Sequence, residues 1–249
     1  MLLHHASWPE VEDYLERSKA IVIPVGSTEQ HGPNGLIGTD AICPEVIAKR
    51  ASEMTDMLIA PTFNVGMAQH HMGFAGSMTL RPSTMIAAIF DWASSLARHG
   101  FDRLYFFNGH GGNIATLQSA FSEIHADRSL GRPGANRAGL QCKLVNWWDF
   151  RPVLDFCRET YGSAHGSHAT PSEVAITYAA FPHAVKEAAM EPAIAPSGRF
   201  TDAEDYRAKF PDGRIGSDPS LARIEDGRKL IELSATAMAQ DFEGFAKQQ

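Results

Sequence analysis

Apolar and polar positions along the chain alternate between two periods. Short β-branched or aromatic bursts read as buried strands, and longer stretches with apolar residues three and four apart read as helices. Trp8 to Lys19 is amphipathic, with Ser7 placed as a cap and Pro9 in the first turn. Ile21-Val22-Ile23 is the first buried strand. Ala41 to Met54 follows as a helix, with Pro44 in its first turn and Val46 and Ile47 facing inward. Leu58 to Phe63 is a second strand. Thr84 to His99 carries Ile86, Ile89, Phe90, Ala93 and Leu96 at helical spacing and stops at Gly100. Arg103 to Phe107 is a strand that runs straight into Asn108-Gly-His-Gly-Gly-Asn113, and a helix follows from Ile114 to Asp127. Arg128 to Gly139 reads as a polar surface connection, Leu140 to Trp147 as a further strand, and Val174 to Ala180 as a helix. Ala188 to Ser217 is rich in Pro, Gly and charge with little periodicity, which fits a lid or an arm onto a neighbouring subunit. Asp218-Pro219 starts a last helix that runs to about Phe245, with an interruption near Gly227. Strands alternating with helices, without internal repeats, predict one layered α/β domain over residues 1–249.

Composition narrows the class of function. An apolar fraction of 44% is ordinary for a packed globular chain. Twenty-nine acids against 22 bases give a net charge of −7, and no basic run interrupts this balance, so a general nucleic-acid binder is disfavoured. Cys43, Cys142 and Cys157 form no paired motif, so neither a disulfide framework nor a thiolate zinc site is indicated. They fit small buried hydrophobes in a reducing compartment. The start of the chain carries no basic-then-apolar signal pattern, and no apolar stretch approaches membrane-spanning length. The expectation is a cytoplasmic protein with no membrane or nucleic-acid partner.

The chemistry is concentrated between Ile21 and Asp40, I-V-I-P-V-G-S-T-E-Q-H-G-P-N-G-L-I-G-T-D. Glu29 and His31 lie two residues apart and share a face in extended backbone. With Asp40 they supply the ligand types that hold zinc, manganese or iron. The plainer alternative makes Asp40 a helix cap and Glu29 and His31 an exposed loop pair. His110 follows a buried strand, where parallel α/β sheets place their ligands. Its loop matches neither a dinucleotide-binding nor a Walker pattern, and a glycine-rich turn with a passive histidine stays open beside the functional reading. His70 and His71 are adjacent, so at most one is expected to face a site, either as a pocket wall or as a loop residue. Trp147 and Trp148, at a strand end, suit the wall of a pocket for a flat substrate or the core. His165 and His168 sit among small residues. Glu173 either serves helix N-terminal electrostatics or arrives late in the chain as a metal ligand. An imidazole at 168 suits proton shuttling near neutrality.

Taken together, G-S-T-E-Q-H-G-P, G-T-D, F-N-G-H-G-G-N and H-A-x-x-x-E resemble the creatininase (creatinine amidohydrolase) family, and F-A-G-S at 74–77 and G-S-D-P-S-L-A at 216–222 extend the resemblance over most of the chain. The resemblance implies a three-layer α/β/α sandwich with a mostly parallel sheet. It also implies a metal-dependent hydrolase of C–N bonds in small or cyclic amides, often with two divalent ions, and a homo-oligomer, commonly a hexamer. Glu29, His31, Asp40 and His110 match family ligand positions, with Asp40 at the place of the bridging carboxylate. Glu173 matches the late glutamate as a further ligand, and His168 matches the histidine similar to the family's proton shuttle. His71, Trp147 and Trp148 are the substrate-contact candidates. Creatininases carry Tyr and Glu after the histidine of the glycine-rich loop, and that Glu binds metal. Here Gly111 and Gly112 stand instead, which makes Glu173 the natural replacement. Asn34 in place of a common histidine and Ala75 in place of a common proline separate the chain further from creatinine as substrate. Formamide hydrolysis on a pyrimidine, cleavage of a modified peptide, a metal-dependent lactonase or isomerase, and a non-catalytic metal- or ligand-binding protein are the alternatives.

Overall fold

The computed structural model describes residues 1–131 and 139–247. Its frame is a four-stranded, wholly parallel sheet. The strands are β1 (Ala20–Val25), β2 (Leu58–Ile59), β3 (Arg103–Asn108) and β4 (Gln141–Asn146), in the order β2-β1-β3-β4. Every residue of β1 is buried. A central parallel strand is covered on both faces, which is why its sequence is an unbroken apolar run rather than an alternation.

Successive side chains of the central strands serve two different cores. Ala20 and Val22 of β1 and Tyr105 and Phe107 of β3 face one helical layer. It is made by α2 (Thr39–Ala51), α5 (Arg151–Tyr161), α6 (Pro171–Ala180) and α8 (Ile224–Ala246). Ile21, Ile23 and Val25 with Leu104 and Phe106 face the other, made by α1 (Trp8–Leu15), α3 (Pro82–Arg98) and α4 (Ile114–Leu130). The three-layer α/β/α expectation is met. Register aligns Val25 with Asn108 and Asn108 with Asn146, so three strands end level, and the loops beyond them converge on one surface. Asn108 donates to Asn146 Oδ1 (2.8 Å), and Asn113 donates to Gly26 O (3.0 Å), which ties these ends together.

Several elements depart from the sequence reading. β2 is only two residues long, and the chain regains contact with β1 through an isolated bridge between Val25 and Phe63. Helix α5 falls in a stretch the pattern left unassigned; Val153, Cys157 and Tyr161 recur every fourth residue among charged neighbours. Residues 132–138 of the expected surface connection lie outside the described residues. The segment 188–217, expected as a lid or an arm onto a neighbouring subunit, folds back over its own chain and contains α7 (Ala203–Lys209). Tyr206, Phe210 and Ile215 form a small separate core there with Phe74 and Phe200. No described helix is long and apolar enough to cross a membrane.

The last helix is continuous through Gly227, where the sequence pattern suggests a break. Gly227 is instead the point of closest approach to α6: a Cβ there would sit 1.9 Å from the Ala175 carbonyl oxygen. Substituting Gly227→Ala should force α6 and α8 apart at a cost of about 1–3 kcal/mol. In a thermal melt that loss lowers Tm by roughly 2–4 °C per kcal/mol. An unchanged Tm would show that the helix pair absorbs a methyl group freely.

Candidate metal centre

Two loops at strand ends and two helix N-termini deliver the polar cluster. Glu29 and His31 lie on the loop after β1, and His110 on the turn after β3. Asp40 is in the first turn of α2 and Glu173 in the first turn of α6. A 3-10 turn, Gln69–His71, brings in His71, and the segment before α6 brings in His168. Glu29, His31, Asp40 and His110 are all buried. Glu173 and His168 retain 12% and 11% side-chain exposure, so solvent reaches the cluster from their side.

Asp40 divides its two oxygens between two groups. Oδ1 lies 2.9 Å from His31 Nε2, with Glu173 Oε1 3.9 Å beyond that nitrogen. Oδ2 lies 2.8 Å from His110 Nδ1, and Glu29 completes this second group. In each trio, and in a third made by Glu29, His31 and His168, one ligand atom per residue lies within 4.8 Å of the others. The outer nitrogen of each imidazole is held by backbone: His31 Nδ1 is 3.1 Å from Glu29 O, and His110 Nε2 is 3.0 Å from Met67 O. A ring that donates one N–H to a carbonyl turns the lone pair of its other nitrogen inward, which is the usual support of a metal-bound histidine. Ser27 Oγ donates to Glu29 Oε2 at 2.7 Å, steadying that carboxylate.

Two buried oxygens, Glu29 Oε1 and Asp40 Oδ2, have no hydrogen-bond partner among the described residues although imidazole nitrogens approach both. The approaches lie off the N–H directions. Atoms bound about 2.0–2.2 Å from a shared ion sit roughly 3 Å apart without pointing at one another. Unpartnered carboxylate oxygens at such spacing, in a donor set of two imidazoles and three carboxylates, fit divalent metal.

Without metal, this concentration of negative charge holds protons. Burial by itself depresses the His31 imidazole, but Asp40, Glu173 and Glu29 outweigh it and raise it to about 10. Burial likewise opposes protonation of His110, which Glu29 and Asp40 raise to about 9. Burial pushes the Glu173 carboxyl up to about 7, with Asp40 adding to the rise. Burial also raises Asp40, yet the adjacent His31 and His110 charges keep it below the usual carboxylate range. His168 goes the other way: burial, then the neighbouring charges on His71 and His31, push it well below its ordinary value.

The cluster gathers Glu29, His31, Asp40, His110, Glu173, His168 and His71, all foreseen in the sequence. Glu173 fills both of its readings at once. Its Oε1 accepts the Thr170 N–H in a capping box while facing His31. His71 reaches Glu29 Oε1 at 2.9 Å. His70 is also buried, but it stacks between Phe200 and His110 rather than entering the cluster. Trp147 is 2% exposed within the core beside α2, α5 and α8, and Trp148 packs partly buried against that core. Sequence reading missed Gln30, whose side chain lies between His71 and His168, and Tyr206, whose ring packs 4.7 Å from that of His71. A neutral amide between two ligands leaves no periodic signal, whereas the aromatic spacing of Tyr206 and Phe210 was readable.

A family profile described as "Creatininase: Creatinine amidohydrolase" matches residues 4–242. The chain is 33% identical over 130 residues to a mycofactocin precursor peptide peptidase of Mycobacterium ulcerans, covering 48% of this chain and 52% of that one. It is 30% identical over 153 residues to a creatinine amidohydrolase of Pseudomonas putida, covering 58% and 56%. The chain thus spans about half the length of the curated relatives it matches. Among solved structures, one described as "Creatininase Mn" superimposes with a TM-score of 0.83 at 22% identity, covering 99% of each chain, a likeness of fold.

Two expectations follow. Because His31, His110 and Glu173 hold protons in the metal-free protein, an incoming ion must displace them. Affinity for Mn²⁺ or Zn²⁺ should therefore weaken as pH falls below about 10, where His31 takes its proton, and more steeply below about 9 and about 7 as His110 and Glu173 follow, by up to about tenfold per unit for each proton displaced. Competition titrations across that range measure it, and a flat profile would remove the histidines from the ligand set. The second concerns Gly112, where a Cβ would meet His110 Nε2 at 2.4 Å and Met67 O at 2.8 Å. Gly112→Glu should accordingly lower bound metal, measured by elemental analysis, by displacing His110 rather than adding a ligand. A gain of metal would show that the loop can reopen.

Proposed function

The chain belongs to the creatininase family, and on that premise we propose that it is a metal-dependent amidohydrolase cleaving a C–N bond of a small amide or cyclic amide. The observation that carries this reading is the division of Asp40 between two His–carboxylate groups. It supports a site for two divalent ions per chain, Zn, Mn or Fe, in which His31 and Glu173 would hold one and Glu29 and His110 the other, each with an oxygen of Asp40. Bound there, such ions supply an acidified water and a Lewis-acid partner for a carbonyl oxygen.

The chain's own groups do the rest. His168, neutral in this environment and on the more exposed side of the cluster, moves the proton that the departing nitrogen requires. The ring of His71 stacks on His168 at 4.4 Å and limits its orientations. Phe200 and Tyr206 pack over His70 and His71 and keep bulk water from that side.

Cleavage of a peptide bond is the second reading. It is favoured by the mycofactocin precursor peptide peptidases among the curated relatives and by a loop, Gly111-Gly112, that lacks the bulk and charge of creatininases. A panel of cyclic amides, formamides, lactones and short peptides, assayed with Zn²⁺ and Mn²⁺, separates these activities. No turnover of any member would leave a binding role.

Two variants test the assigned parts. Glu173→Ala should lower metal from about two ions per chain toward one, by elemental analysis. His168→Ala should keep its metal and lose about 100- to 10,000-fold in kcat. Metal lost from His168→Ala would make that histidine a ligand and end its assignment as proton carrier.

A further inference from the structure

Gln30 sits between the two histidines that flank Glu29, and its surroundings define which of its atoms is which. Its side-chain oxygen accepts the Gly32 N–H at 2.8 Å, and its nitrogen donates to the Gly213 carbonyl at 2.9 Å. A carbonyl can only accept, so the amide cannot be reversed. One amide hydrogen is thereby committed. The other faces two ring nitrogens, His71 Nδ1 and His168 Nε2, each 2.9 Å away, with the Tyr206 hydroxyl farther off at 3.4 Å. His168 Nε2 is also 2.9 Å from the backbone oxygen of Gln30, which needs a donor.

One proton arrangement gives the Gln30 backbone oxygen its donor. His168 Nε2–H donates to the Gln30 backbone oxygen, so it cannot also accept from the amide. The remaining amide hydrogen then goes to His71 Nδ1. That leaves the proton of His71 on Nε2, the nitrogen 2.9 Å from Glu29 Oε1, though its N–H does not point at that oxygen. It also leaves a lone pair on His168 Nδ1, the nitrogen turned toward Glu29 Oε1 at 3.8 Å. The opposite arrangement strands the Gln30 backbone oxygen and stretches the His168 contact with Glu29 across that longer gap.

We infer that Gln30 is a positioning residue that fixes the tautomers of His71 and His168, so that the resting protein presents His168 Nδ1 to the metal centre as a proton acceptor. The segment that follows α7 takes part. Gly213, at φ +87, leaves no room for a side chain against Gln30: a Cβ there would lie 1.9 Å from the amide oxygen. Tyr206 donates to the same Gly213 carbonyl at 2.7 Å. Seating of residues 206–213 therefore holds one hydrogen of the amide and directs the other to His71. The role assigned to His168 in hydrolysis rests on the proposed function, whereas the proton arrangement does not.

The test is the nitrogen spectrum of the ¹⁵N-histidine-labelled, Zn²⁺-loaded protein, with signals assigned by single substitution. Expected in the wild type are protonated Nε2 and bare Nδ1 on both His71 and His168. Gln30→Met, close in length and without a donor, should mix the His71 tautomers while leaving metal content unchanged. On whichever substrate the panel yields, kcat should fall about 10- to 100-fold with KM nearly constant. Gly213→Ala, which displaces the amide from a distance, should mix the same signals and serves if Gln30→Met does not fold. A proton on Nδ1 of either histidine in the wild type, or unmixed His71 signals in the folded variants, would overturn the inference. Defined tautomers in a protein that hydrolyses nothing on the panel would instead fault the proposed function alone.

Discussion

The structure depends on a buried carboxylate, Asp40, held between two imidazoles at the end of a parallel sheet. Charges removed from water are costly, and their mutual attraction offsets this only when geometry and further hydrogen bonds are in place. Here His31 and His110 supply counter-charge in the metal-free protein, and the first turn of α2 adds the favourable end of a helix dipole. Even so, Asp40 Oδ2 and Glu29 Oε1 stay without hydrogen bonds. An apolar replacement would suit stability better than this cluster does. The arrangement makes physical sense as a compromise toward metal, whose binding energy becomes folding energy once the ions are present.

The sheet delivers the cluster because of its register. β1 and β3 pair residue for residue up to Val25 and Asn108, so Glu29 and His110 emerge at one height, a few residues past level strand ends. The Asn108, Asn113 and Asn146 side chains occupy the space between those ends and bond to one another and to the Gly26 carbonyl. They satisfy backbone groups that a parallel sheet leaves open where it stops, and they keep the ligand-bearing loops from drifting.

Legibility in the sequence followed the length scale of each signal. β1 and β3 were plain because both faces of a central parallel strand are apolar, and the ligand loops were plain because their residue types announce metal chemistry. Helix α5 was not, because its inward positions, Val153, Cys157 and Tyr161, are diluted by Arg, Asp and Glu. The tryptophans could be read two ways because a large aromatic at a strand end suits a core as well as a wall; Trp147 is the one buried in the core. Which of His70 and His71 meets the cluster depends on a single 3-10 turn. Gln30 was silent because its importance lies in a contact made 183 residues along the chain, at Gly213.

The two glycines after His110 are not equivalent departures from the creatininase pattern. A Cβ at Gly111 would meet nothing within 4 Å, so that position accommodates a side chain and its absence opens space beside the cluster. At Gly112 the room is taken by the His110 ring and the Met67 carbonyl, the same pair whose contact orients the imidazole. A carboxylate cannot be restored there without undoing the support of an existing ligand. Glu173 avoids the conflict because its aim is set by its own helix: the Thr170 N–H holds one oxygen of a carboxylate that stands in the first turn of α6.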